Sequence, residues 1–259
     1  MIIENPNQEE ELQAATKRIK LTVAYDGTAY HGWQYQENAN TIEGELNRCL
    51  SGLLNERIMV IGASRTDTGV HALCNIAVFD TASKIPPAKF APALNQRLPE
   101  DIKVMHAEAV DPLFHPRRQR CEKTYRYTIL NAETDPTKRL YVHFVPMPLN
   151  LDKMRQGAAY LLGEHDFTSF CSVKGTAKSN VRTIHSIEIS RVNEEIRIDV
   201  CGGGFLYHMV RIIAGTLIEV GRGRYAPEAI GEILVACDRT KAGPTAPAKG
   251  LMLINFRFF

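Results

Sequence analysis

The sequence predicts an α+β fold made of two ferredoxin-like halves, and three observations carry the prediction. A β-α-β-β-α-β order of hydrophobic periods can be traced twice along the chain. The turn formers Asp111-Pro112 and His115-Pro116 separate the two runs. The 259 residues, 44% of them hydrophobic, suffice for one large or two small packed domains. This reading divides the chain into a solvated tail at 1–17, a first unit at 18–112 and a second at 113–259. It expects antiparallel or mixed sheets, helices on one face, a pseudo-twofold relation and a ligand cleft between the two sheets.

The elements follow in order. Ile19, Leu21, Val23 and Tyr25 alternate with polar residues, which marks a strand. Asn40 or Thr41 can cap a helix with an apolar face of Ile42, Leu46, Cys49, Leu50 and Leu53, and Asn40 with Glu43 resembles a capping box. Residues 57–63 and 75–81 read as strands joined by a polar loop, 64–73. A helix over 88–98 and a strand over 102–110 complete the first unit. In the second, 119–130 is a strand with Tyr125, Tyr127 and Ile129 on one face and Thr124, Arg126 and Thr128 on the other. Asn150 caps a helix carrying Leu151, Met154, Ala158 and Leu161. Residues 183–192 and 195–201 form a hairpin, 205–220 a strongly apolar helix, and Pro227 suits the first turn of another helix ending near Cys237. Residues 251–259 close as a strand.

Several function classes are excluded. No run of about 18 apolar residues predicts a membrane-spanning helix. The acidic start, with Glu9, Glu10 and Glu11, does not resemble a secretory signal. The six cysteines form no C-x-x-C pair and the eight histidines show no metal-ligand spacing, so a cytoplasmic protein with reduced thiols and no metal is expected. There is no P-loop and no dinucleotide fingerprint. A net charge of +2 makes no global case for nucleic acid, so local charge must carry that case.

The densest chemistry lies in Gly62-Ala-Ser-Arg-Thr-Asp-Thr-Gly-Val-His-Ala72, which holds Arg65, Asp67 and His71. Asp and Gly are ordinary turn formers, so a purely structural loop is one reading. Asp67-Thr68-Gly69 also occurs in aspartic proteases, where two copies share a proton; this chain has no second copy. Arg211 adds independent evidence. It sits in a helix apolar on nearly all sides, where a guanidinium needs a carboxylate. The pair is either a core salt bridge or a device that holds a catalytic aspartate ionised and oriented. The nearby Glu219 lies too far along the same helix, and Asp67 is the expected partner. Tyr125 is a core strand aromatic or a base-stacking one. Its neighbours Arg117, Arg118, Arg120, Lys123 and Arg126 favour stacking beside phosphate contacts. Gly202-Gly203-Gly204, before the Arg211 helix, permits a tight turn or the approach of a phosphate.

Tyr25-Asp-Gly-Thr-Ala-Tyr-His-Gly-Trp-Gln34, Arg65-Thr-Asp-Thr-Gly-Val-His-Ala72, Lys123-Thr-Tyr-Arg-Tyr127, Phe167-Thr-Ser-Phe170, Phe205-Leu-Tyr-His-Met-Val-Arg211 and the 246–253 stretch follow one another in a specific order and spacing. On these residues the chain resembles the tRNA pseudouridine synthase A family over nearly its whole length after residue 17. Ser64 departs from it, since the family commonly has Gly there, and Gly202-Gly203-Gly204 is richer in glycine than usual. The resemblance implies isomerisation of uridine to pseudouridine in the anticodon arm of tRNA, nominally at positions 38, 39 and 40. It also implies a homodimer holding one tRNA and a reaction with no cofactor and no metal. By the same carry-over Asp67 is the catalytic aspartate and Tyr125 contacts the target base. The expected site adds Arg65 to position the nucleotide, Arg211 as the ion-pair partner, Lys123 and Arg126 as substrate contacts, and Leu253 in an apolar pocket confining the detached base. The rival readings are a non-catalytic protein of two RNA-binding units and a dimeric aspartic protease.

Overall fold

The computed structural model describes residues 16–173, 175 and 177–259. All but the end of the predicted tail lies outside them; strand β1 already begins at Lys17.

Strand β1 (Lys17–Tyr25) shows how the sheet forms. Ile19, Leu21, Val23 and Tyr25 are buried while the residues between them are half-exposed, so the period of two reports one covered face. Helix α1 (Ile42–Leu54) buries Ile42, Leu46, Cys49 and Leu50 on that face. Thr41 caps it, its Oγ1 accepting from Gly44 N at 3.2 Å. The expected Asn40–Glu43 box does not form, because the Glu43 carboxylate accepts instead from Tyr35 N at 2.7 Å. The strand expected at 57–63 shrinks to β2 (Ile61–Gly62). Its preceding backbone donors turn to helix α1: Ile58 N bonds Ser51 Oγ and Val60 N bonds Asn47 Oδ1. Strand β3 (His71–Thr81) starts earlier than expected and takes His71 and Leu73 out of the loop. Helix α2 (Phe90–Asn95) is shorter than expected, and β4 (Ile102–Val110) follows.

In the second half β5 (Cys121–Leu130) has the predicted faces: Tyr125, Tyr127 and Ile129 are buried, Thr124, Arg126 and Thr128 half-exposed. Next come β6 (His143–Phe144), α3 (Leu151–Ala159, capped by Asn150), β7 (Gly163–Asp166), β8 (Val181–Val192) and β9 (Glu195–Gly202). Helix α4 (Met209–Gly221) starts later than the apolar pattern suggests, because His208 adopts a left-handed conformation (φ 63°) and ends the turn before it. The three glycines therefore do not open this helix. Helix α5 (Ala229–Ala236) and β10 (Leu251–Phe258) complete the chain.

The architecture is α+β, with five α-helices and one mixed sheet of ten strands. The sheet runs β4-β1-β3-β10-β5-β9-β8-β7, with β2 on β3 and β6 on β5. The two expected sheets are thus a single one. The last strand is the reason: β10 pairs parallel with β3, placing Leu253 opposite Ala72, and antiparallel with β5, placing Leu253 opposite Tyr125. The buried strand residues and the buried helix residues form one continuous core. The consequence for the site is direct. The loop that precedes β3 and the middle of β5 are brought to either side of the same strand.

Candidate active site

Residues 63–70, between β2 and β3, carry Asp67. Their conformation is held by buried groups from the first half. Tyr25 Oη and Thr66 Oγ1 are hydrogen-bonded at 2.7 Å. Asn75 Nδ2 donates to Ser64 O at 2.9 Å and to Tyr25 Oη at 3.2 Å, and Asn75 Oδ1 accepts from Ser64 N at 3.3 Å. Trp33 N donates to Thr66 O at 3.0 Å and Gly69 N to Tyr30 O at 3.3 Å. Two glycines are required. Gly69 turns the loop at φ 76°, and a Cβ on Gly32 (φ 88°) would sit 2.6 Å from Thr66 O. The Tyr25-to-Gln34 motif therefore acts as the bed of the Asp67 loop. From the second half, Arg117 Nε donates to Gly62 O at 2.7 Å and Lys123 Nζ to Ala63 O at 3.3 Å.

Arg211 reaches Asp67 as expected: its Nη1 donates to Asp67 Oδ2 at 3.2 Å. Every residue of α4 is buried except Arg211, whose side chain is 14% exposed, against 17% for Asp67. The guanidinium is set by a second bond, Nε to Ala246 O at 2.8 Å, while Ala246 N returns a bond to Arg211 O at 3.1 Å. One planar group thus ties the segment before β10 to the Asp67 loop, with a fork that a lysine lacks.

The Asp67 loop borders a cavity of about 640 Å³. Asp67 and Tyr125 both face it, and Arg65, Arg117, Lys123 and Arg182 also line it. Asp67 is the only carboxylate among the described lining residues. Its apolar wall comes from Phe205, Leu206, Met209, Val210 and Leu251. Tyr125 is 8% exposed and stands edge-on to Phe205, with ring centroids 5.2 Å apart. Burial pushes its phenol pKa up, so its hydroxyl stays protonated near neutrality. Burial likewise pushes the Lys123 ammonium pKa down.

Two expected contacts lie elsewhere. Arg126 is absent from the described cavity lining; strand alternation puts it on the other face of β5, where it forms a bidentate pair with Asp199 across β9 (2.8 and 2.6 Å). Leu253 is fully buried beside Tyr125, and Leu251, two residues earlier on the same face of β10, lines the cavity instead. His208 is the site residue that the sequence reading passed over. Its Nε2 lies 3.6 Å from Asp67 Oδ2 and its Nδ1 2.9 Å from Ser172 Oγ, with its ring stacked on Tyr207. Burial lowers its pKa; Arg211 and Arg239 add to this and Asp67 opposes it. The left-handed backbone that aims it was invisible in an apolar helical pattern. His71, by contrast, is buried on β3, where Gly27 N donates to its Nδ1 at 3.1 Å, and it does not line the cavity.

An aspartate whose neighbours are a guanidinium and an imidazole does not resemble the shared-proton carboxylate pair of an aspartic protease. Among the described residues no three His, Cys, Asp or Glu side chains are grouped to hold a metal ion. No described helix is long and apolar enough to cross a membrane.

Residues 21–117 and 158–258 match the tRNA pseudouridine synthase family; Asp67 and Arg211 fall in the two matched segments and Tyr125 between them. The chain is 47% identical over 238 residues to tRNA pseudouridine synthase A of Brevibacillus brevis, covering 92% of this chain and 98% of that one. It is 45% identical over 240 residues to the protein of the same name from Thermoanaerobacter sp., with the same two coverages. Among solved structures, a Cbf5-Nop10-Gar1 complex aligns with a TM-score of 0.37 and 11% identity, over 91% of this chain and 48% of that one. The family match over residues 21–117 and 158–258 and the relatives at 47% and 45% identity place the chain in the tRNA pseudouridine synthase A family, whose members are isomerases.

Proposed function

We propose that this enzyme isomerises uridine to pseudouridine in the anticodon stem-loop of tRNA, nominally at positions 38, 39 and 40, with Asp67 as its essential catalytic residue. The observation that carries the reading is that Asp67, held by Arg211, lines one cavity together with Tyr125, and that the other charged groups lining it are basic. The reaction breaks the bond between ribose C1′ and base N1, turns the uracil and joins C1′ to C5. It neither adds nor removes atoms overall, so its stoichiometry calls for no redox partner or energy donor.

The residues divide the work. Turning the nucleotide out of the stem costs a few kcal/mol. Arg65, exposed at the rim, holds its phosphate, with Arg117, Arg182 and Lys123 along the same wall. Tyr125 stacks on the base, worth about 1–3 kcal/mol. Asp67 acts at the ribose as nucleophile or as base, its carboxylate oriented by Arg211. Leu251, Met209 and Val210 enclose the detached uracil while it turns. Water then takes the C5 proton, assisted by the Tyr125 hydroxyl, which burial keeps protonated. In this reading the two halves are one duplicated β-α-β-β-α-β unit, divided near residue 112. The orders β4-β1-β3-β2 and β10-β5-β9-β8 support that division, since both follow the same fourth-first-third-second plan once the short strands β6 and β7 are set aside. The active form is a homodimer that grips one tRNA, and its mass by light scattering tests this.

The decisive experiment follows tritium released from C5 of tRNA uridines. The wild type releases it stoichiometrically with pseudouridine. Asp67→Asn lowers the rate at least about a thousandfold while tRNA binding persists. Near-normal release by Asp67→Asn removes the aspartate from the chemistry, and no release by wild type removes the reaction.

A further inference from the structure

A second recess lies beside the catalytic cavity, and of its lining residues the reaction as described uses only Arg182. It encloses about 380 Å³ and is lined by residues 120–122 of the β5 edge, Val181, Arg182, Thr183 and His185 of β8, Gly203, Gly204 and Phe259. Its continuity with the cavity is built into the chain. Arg182 lines both spaces. Gly203 and Gly204 line the recess and Phe205 and Leu206, next in sequence, line the cavity; Cys121 and Lys123 divide in the same way along β5.

Its chemistry is that of a backbone track. The Arg182 guanidinium spends Nη1 on Ser179 O (2.9 Å) and Val181 O (2.6 Å), and among the described residues its other nitrogens bond nothing. The Arg120 guanidinium lies over the Phe259 ring at 5.6 Å and has no carboxylate partner among the described residues. Arg257 covers the same ring at 4.6 Å and pairs with Glu122, the one carboxylate side chain lining the recess, at 3.2 Å. The ring is 60% exposed. At the floor, the N–H groups of Gly203, Gly204 and Phe205 donate to no described group of the protein. A Cβ on Gly204 would meet nothing within 4 Å. Side-chain-free backbone donors, unpaired guanidiniums and an exposed ring between two arginines together match a phosphodiester strand with a base or sugar against the ring.

We propose that this recess binds the single-stranded RNA backbone next to the everted nucleotide, with Gly203 and Gly204 as the floor and Arg182 and Arg120 as the phosphate contacts. Local packing requires glycine at 202, where a Cβ would sit 2.7 Å from Thr183 O, but not at 203 and 204, which thereby acquire a function: they keep the floor open. The proposal rests on the RNA-modifying reading above, and the test separates the two.

The test is a charge swap at one open position. Gly204→Glu and Gly204→Lys add similar bulk of opposite sign where no neighbour is displaced. Affinity for unmodified tRNA is measured by fluorescence anisotropy across a salt series, with tritium release for KM and kcat. Gly204→Glu raises Kd and KM roughly fivefold, the factor for one charge about 4 Å from a phosphate in water, and leaves kcat unchanged. Gly204→Lys binds at least as tightly as wild type. Arg120→Ala reduces the slope of log K against log salt by about one. Equal weakening by Glu and Lys, or an unchanged salt slope in Arg120→Ala with unchanged Kd in Gly204→Glu, overturns the proposal. Absence of tritium release by the wild type defeats the catalytic reading instead, whatever the binding shows.

Discussion

Each half of the molecule has a connection between its second and third strands, and the two are built in opposite ways. Between β8 and β9 the chain reverses through Asn193 and Glu194, with Asn193 left-handed at φ 54°. Such a turn needs little beyond a residue that tolerates positive φ. Between β2 and β3 the same connection swings out over residues 63–70 and exposes an acid. Backbone groups that a hairpin would pair are satisfied there by Asn75, Trp33 and Tyr30. The helices after the third strands are reversed in weight as well. Helix α2 has 6 residues and α4 has 13, and only α4 carries a side chain bonded to Asp67. The similar strand orders supply the frame, and the two halves differ where one lengthens a loop and the other lengthens a helix.

The sharpest way to break this comparison is at the contact between the two unequal parts. Arg211→Leu removes the Asp67 partner and the bond to Ala246 together. It lowers kcat about 100-fold or more and stability by about 2–3 kcal/mol, the worth of a charged hydrogen bond. Arg211→Lys keeps the charge without the fork and recovers part of the stability and less of the rate. Urea unfolding and tritium release measure the two quantities. A stable, fully active Arg211→Leu protein would mean the helix does not serve the loop.

Next in size is the bed of the loop. Asn75 is fully buried and bonds Ser64 on both its donor and acceptor sides. Asn75→Ala strands those groups at a cost of about 1–3 kcal/mol. Because the stranded groups lead directly to Asp67, kcat falls about tenfold or more while tRNA affinity changes little. A loss of stability with kcat intact would show that the loop keeps its shape without its clamp.

What the sequence made legible divides along the same line. Strands β1 and β5 could be read because one face of each is buried, which prints a period of two. The Asp67–Arg211 pair could be read because a guanidinium in an apolar helix demands a carboxylate, its own segment offers only Glu219, and the densest chemistry elsewhere is the Asp67 loop. Strand β2 could not, because its donors go to Asn47 and Ser51 on α1 rather than to a ladder. Arg126 adjoins Tyr125 in sequence, but adjacent strand residues face opposite sides, so it pairs with Asp199 and does not line the cavity. Leu251 and Leu253 share a face, so only the position of the cavity along β10 distinguishes them. His208 depends on a single left-handed residue, for which hydrophobic periodicity has no signal.

The control for the comparison lies in the tight turn. Asn193→Ala places a Cβ residue less tolerant of φ 54° in the hairpin and costs about 1 kcal/mol. Since that turn serves only the fold, kcat and tRNA affinity stay at the wild-type values. A drop in kcat of the Asn75→Ala size would mean that the two connections are not as different in role as they are in shape.

The smallest effect is also the most specific to the meeting of the two halves. His208 faces Asp67, Arg211, Arg239, Ser172 and the Tyr207 ring. Burial, with the two arginines, holds its pKa in the folded protein below the usual 6.5, and Asp67 opposes this. The unfolded chain therefore binds the proton more readily. Its contribution to stability is present above about pH 6.5 and is lost as pH falls through the lower, folded value. Protonation also places a second cation 3.6 Å from Asp67 Oδ2, where it competes with Arg211 for the carboxylate. His208→Gln keeps a polar side chain at this position without the titration. It should flatten the fall of urea stability between pH 7 and 5 and remove part of the acid limb of kcat, with kcat at pH 8 changed less than at pH 5.5. If the pH profiles of stability and kcat coincide in the two proteins, the imidazole takes no part in holding Asp67, and Arg211 alone joins the long helix to the long loop.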